Sequence, residues 1–364
     1  TAQNNSTLAL AGPNVFALGF VMSDGTLALG HNDALGRSTG YVSNVRIQSM
    51  DATARTITNW LTIAGTGATF GAPGTGDLTV EQFVNNGAVA KVLTIDSIVA
   101  TFTHGLTNTG PIEIAGNGTL SLGSTGMITR ASRLVVHPGA TLDVSGLAAG
   151  LVRTTGTLEG GGTLQGSATM NANTLLIPGT ADRAQTLTIT GNLTLNNNST
   201  SLFQVAELPT LIGAADRVDL SGDLEPNSSV LQVDPIGYMT AGTYTLFTYG
   251  GSKTTAFGDL LGQPGSDVRF GWSGLNEGAG LVQLVVTGSS QSLVWDGFGT
   301  PTWDTTNTAA WAGGAERFFT FDRVVFDDTG SASLPVNISG TVRPSGVVVS
   351  GAQNYVFTGS GSIS

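Results

Sequence analysis

Residues 116–144 read GNGTLSLGSTGMITRASRLVVHPGATLDV. Thr119–Leu122 and Thr141–Val144 are two copies of one pattern, T-L-x-[LIV]. Each follows a turn sequence, Asn117-Gly118 or Pro138-Gly139. Polar and apolar residues alternate with period two, the signature of a strand with one buried face. Leu120 and Leu142 stand 22 residues apart, and Leu8 and Leu27 stand 19 apart. An isolated four-residue strand cannot bury its apolar face, whereas strands recurring at this interval can stack into the coils of a β-solenoid.

Working outward, the same pattern recurs at Thr7–Leu10, Thr26–Leu29, Thr174–Ile177 and Thr186–Ile189, with related strands at Leu78–Val80, Leu134–Val136 and Leu193–Leu195. The spacing predicts an all-β parallel β-helix over 1–190. About nine coils at ~4.8 Å each would extend on the order of 45 Å. Leu158 and Leu164 lie only six residues apart, which predicts uneven coils. One short helix is expected, over Ala256–Leu261.

The sequence changes near 191. Over 191–288 the strands lengthen, at Thr243–Tyr249 and Leu281–Val286, and aromatics accumulate. This section is expected to continue or cap the solenoid. From 289 to 364 the chain is rich in Trp and Asp and resumes short strands at Val336–Ile338, Val347–Val349 and Tyr355–Thr358, as the start of a further solenoid unit.

Composition narrows the function. Of 364 residues only 11% are charged, 52 are glycine and none is cysteine. Thiol catalysis, thiolate metal centres and disulfides are thereby excluded. The net charge of −11, with only Lys91 and Lys253 as lysines, argues against nucleic acid and anionic lipid. No run approaches 18 apolar residues, so no transmembrane helix is expected. Neutral polar surfaces of this kind suit an extracellular, cell-surface protein.

The motifs resemble the autotransporter-associated β-strand repeats of giant bacterial surface proteins. The resemblance is carried by Ser6–Phe16 (STLALAGPNVF), Asp24–Gly36 (DGTLALGHNDALG), Ala54–Asn59 and Thr69–Gly71, then by Trp295, Phe326–Gly330 and Tyr355–Ile363. It implies a secreted β-helical repeat, and no catalytic residues accompany the pattern. Gly359–Ser364 reads as a lead-in to a run like Thr7–Leu10, which suggests one repeat of a concatenated or end-to-end assembled fibre, with copies of itself as partner.

Candidate chemistry is sparse. Asp322, Asp327 and Asp328, with Asp296 and Asp304, are the candidate calcium ligands, and each also suits a turn. Asp216, Asp219 and Asp223 with Arg217 form the nearest acid cluster for glycan hydrolysis. His31, His104 and His137 share no metal-binding spacing. Gly36-Arg37-Ser38-Thr39-Gly40 matches G-x-S-x-G, but no helical pattern follows it. Lys253-Thr254 ends like a phosphate loop, but Ser252 stands where that loop needs glycine. Trp295, Trp303 and Trp311, eight residues apart, are the candidate interaction residues, as a sugar-stacking platform or as packed core. The chain is expected to be a non-enzymatic fibre repeat, with a glycan-binding adhesin as the alternative.

Overall fold

The computed structural model describes residues 6–16, 19–37, 39–84, 88–128, 131–180, 184–206, 215–297, 300–330 and 335–364. It is an all-β, predominantly parallel β-solenoid fold, and its contacts divide it into two units.

Unit 1 comprises 1–202, 217–231 and 247–259. Its strands fall into stacks in which each strand pairs in parallel with its counterpart one coil away. The first stack starts at Thr7–Leu10, Thr26–Leu29 and Val45–Ser49 and runs through Ile112–Gly116 and Arg133–Val136 to Leu175–Pro178. The second starts at Phe20–Ser23 and Gly40–Ser43 and includes Thr119–Leu122, Thr141–Asp143 and Thr186–Ile189. A third begins only at Leu151–Arg153 and continues through Ala168–Met170, Leu193–Leu195 and Leu224–Glu225. Strand Leu193–Leu195 therefore stacks without a break across the compositional change near 191.

The register sets like above like. In the second stack Leu120 pairs with Leu142, Leu142 with Leu164, Leu164 with Ile189 and Ile189 with Leu220. All of these side chains are buried, which for each is worth about 1.5–3 kcal/mol of transfer free energy. Phe70 of the first stack meets Phe102 of the second edge-on, centroids 5.4 Å apart, so the two inward faces share one core.

This arrangement explains the six-residue interval. Leu158 faces inward from the first stack and Leu164 from the second, so they are two walls of one coil rather than an irregular coil. The corner between them is Gly160–Gly162. Gly160 has φ +118°, and a Cβ there would collide with the Val136 carbonyl of the preceding coil. The helix expected over Ala256–Leu261 does not form. Residues 256–259 are irregular and Leu260–Leu261 is a strand. Gly258 donates its backbone N–H to Ser229, a bond to another coil that replaces the i→i−4 bond of a helix.

Unit 2 comprises 203–216, 232–246 and 260–364. An antiparallel hairpin, Phe270–Gly278 with Leu281–Gly288, is followed by short parallel stacks. Ser292–Val294 pairs with Arg323–Phe326, which pairs with Gly346–Val349. Thr302–Trp303 pairs with Val336–Ile338, which pairs with Phe357–Thr358. Thr341–Val342 pairs with Ser362–Ile363. The core here is aromatic, built from Trp295, Trp303, Trp311, Phe318 and Phe326.

Candidate functional site

Trp295, Trp303 and Trp311 have no exposed surface. Trp295 and Trp303 each meet Trp311 edge-on, at 4.9 and 5.6 Å, so the rings face one another rather than solvent. Among the described residues their indole N–H groups have no hydrogen-bond partner. The edge-on packing offers π faces as weak acceptors in their place.

The candidate calcium ligands are each engaged separately. Asp322 is fully buried. It accepts from Arg269 Nε at 2.9 Å and from the backbone N–H groups of Gln291 (2.8 Å) and Phe319 (3.0 Å). Burial pushes its carboxyl up, against the pull of Arg269 and the two amides. Asp327 caps its own turn, accepting from the Thr329 hydroxyl and amide, which holds its carboxyl below the usual range. Asp328 accepts from the amides of Ala352 and Gln353. Asp304 accepts from the Thr308 amide and hydroxyl, and Asp296 from the Gly313 and Gly314 amides. Among the described residues no three acidic or histidine side chains converge as a metal site.

The remaining candidates are likewise dispersed. In unit 1, Asp219 pairs with Arg217 at 2.7 Å, and Asp223 accepts from the Ser252 amide. In unit 2, Asp216 accepts from the Gln204 amide. His31 Nδ1 accepts from the Asp33 amide, His104 Nδ1 donates to the Glu81 carbonyl, and His137 lies 2.9 Å from Glu113. Ser38 falls outside the described residues, and the segment after it, Gly40–Ser43, is a strand where a nucleophile elbow needs a helix.

What does stand out is the state of the terminal strands. Several core-facing rows, though not that of Met22 in the second stack, are buried until their last member. Leu8 pairs with Leu27; Leu27 is 1% exposed and Leu8 is 47% exposed. Beside Leu8 an apolar hollow of about 300 Å³ opens, lined by Leu10, Phe16, Phe20, Met22 and Leu35 among others. In unit 2 the row Phe326 to Val349 goes from 0% to 58% exposed. Phe357 and Ile363 are likewise uncovered beyond buried Val336 and Val342. Among the described residues no strand pairs with the outer edge of Thr7–Leu10, Gly346–Val349 or Ser362–Ile363.

No family model matches the chain, and no curated protein matches it. The likeness to autotransporter repeats thus rests on the motifs and on a parallel β-solenoid, a fold consistent with such repeats and not specific to them. No helix among the described residues is long and apolar enough to cross a membrane.

The strands holding Leu8 and Val349 are legible in the sequence, with Thr7–Leu10 as the run a further copy would meet, but the exposure of these two side chains is not. They carry the same T-L-x-L or G-V-V-V pattern as buried rows.

Proposed function

We propose that the chain is a non-enzymatic structural segment of an extracellular bacterial surface fibre, and that it adds copies of itself through its open strand edges. The observation that supports this reading is the in-register parallel stacking of like residues, Leu120 on Leu142 on Leu164 on Ile189, with apolar rows at Leu8 and Val349 on which further coils, of this chain or of another copy, can stack. An unpaired parallel edge presents a row of backbone donors and acceptors, and an uncovered core row adds apolar area, so both call for a further strand. The two edges differ in sequence. A head-to-tail contact between different surfaces generates open filaments wherever its rotation does not close into a ring. The low share of charged residues agrees with an extracellular setting. Electron microscopy of the purified chain at rising concentration tests the reading. Filaments, lost on Leu8→Lys while circular dichroism stays unchanged, are the expected result. Monodisperse particles at every concentration would overturn it.

A further inference from the structure

We propose that Tyr41 and Trp60, on the outer side of the second stack in unit 1, form a stacking platform for a neutral oligosaccharide. Of the five tryptophans, four are buried, while Trp60 is 54% exposed. Tyr41 is 48% exposed one coil away. Both stand at outward positions of their strands, in the alternation that puts Val42 and Leu61 in the core. Tyr41 pairs with Thr62, and Trp60 is two residues before Thr62 on the same side. Strand spacing of ~4.8 Å and a rise of ~3.3 Å per residue place the Cα atoms of the two aromatic residues roughly 8 Å apart along a diagonal. That separation lets two rings engage one oligosaccharide.

The placement of Trp60 is built rather than incidental. The strand Arg55–Ile63 shifts register between Ile57 and Trp60, a local irregularity of the kind that re-aims a side chain. The intervening Asn59 is buried, and its Nδ2 donates to the Leu35 and Gly36 carbonyls at 3.3 and 3.1 Å. This amide ties the shifted segment to the neighbouring loop and fixes the backbone that presents the indole.

The surroundings select the ligand. On the same two strands and the residue before them the outward neighbours Thr39, Ser43, Thr58 and Thr62 are uncharged hydroxyls, while in the flanking coils Val21 pairs with Tyr41 and the carboxylate Glu81 stands opposite Thr58 and Asn59. A pyranose offers an apolar C–H face to an aromatic ring and hydroxyls to such neighbours. Rigid, amphipathic Trp and Tyr provide this contact at low entropic cost. The chain's net charge of −11 disfavours an anionic glycan. The platform is independent of the assembly edges, since the strand holding Tyr41 is paired on both sides.

The test uses the Leu8→Lys variant of the 364-residue chain, so that failure of assembly and failure of binding are read separately. Because the other indoles are buried, acrylamide quenching reports Trp60. Cellulose-type and chitin-type oligosaccharides are titrated as neutral probes, with polygalacturonate fragments as the anionic one. Saturable shielding of Trp60 by a neutral probe is expected. Trp60→Ala should abolish saturable binding measured by calorimetry, and Tyr41→Ala should weaken it roughly tenfold. Trp60→Thr, which places the neighbours' residue type on the strand, replaces Trp60→Ala should the alanine chain misfold. No shielding by either neutral probe, shielding by polygalacturonate alone, or undiminished binding by the Trp60 variant would each overturn the proposal.

Discussion

Asp322 has no exposed surface and is satisfied by one guanidinium and two backbone amides. Arg269 in turn reaches Glu316 at 3.1 Å and lies 4.3 Å over the Phe319 ring. Removing one partner of such a pair strands the other, so Arg269→Met should destabilise unit 2 by about 3–5 kcal/mol. Arg269→Met with Asp322→Leu should cost less than the single change. Urea melts followed by tryptophan emission measure both, and a double variant weaker than the single one would contradict this account. In unit 1, Arg46 Nη1 donates to Asp96 at 2.7 Å and also to the Gly71 carbonyl, spanning three coils. The hydrogen bond from Arg46 holds the Asp96 carboxyl below its ordinary value. Its folded-state pKa is therefore lower than its unfolded one. The stability it contributes is complete above the ordinary carboxylate pKa of about 3.9 and is lost as pH falls through the lowered value. The urea midpoint of the natural chain should fall more steeply below that pH than the midpoint of Arg46→Gln. Parallel acid limbs would remove Asp96 from the explanation.

At the scale of the strand and its corner, two constraints recur. Inward rows demand a filled position in every coil. Leu142→Ala opens a gap between Leu120 and Leu164 and should cost about 2–5 kcal/mol by chemical denaturation. Corners demand unusual backbone. Asn173 and Asn198 adopt φ 62° and 63° one coil apart, and Asn196 Nδ2 donates to Asn171 Oδ1 at 2.7 Å beside them. Asparagine tolerates the left-handed region, whereas a β-branched residue does not. Asn198→Gly should leave the melting midpoint nearly unchanged, while Asn198→Val should lower stability by about 1–3 kcal/mol. Equal effects would show that the corner is not conformationally selective. The N-x-N-[ST] pattern at Asn171–Thr174 and Asn196–Ser199 is visible in the sequence, and reading it as a corner would have separated the third stack from the first.

For the whole molecule, the proposed edges make a prediction that neither edge makes alone. Leu8→Lys leaves the Val349 edge intact, and Val349→Lys leaves the Leu8 edge intact. If the contact is head-to-tail, neither variant forms filaments, and an equimolar mixture forms dimers capped at both ends. Sedimentation velocity distinguishes this from the alternatives. Filaments in the mixture, or monomers only, would exclude a Leu8-to-Val349 contact.

The sequence alone determined the fold class, because period-two alternation recurring near 20 residues leaves a short strand no way to bury its face except by stacking. It also located a minority of the strands, among them Thr7–Leu10, Thr119–Leu122, Thr186–Ile189 and Val336–Ile338. It did not determine which wall of the coil each strand joins, since Leu158 and Leu164 carry the same pattern on different walls. Nor did it separate buried from exposed tryptophan: Trp303 and Trp60 are alike in type, yet one closes a core and the other stands on an outer face. Those distinctions arise from the register between coils, set by contacts about 20 residues apart in the chain, and only the tertiary structure contains them.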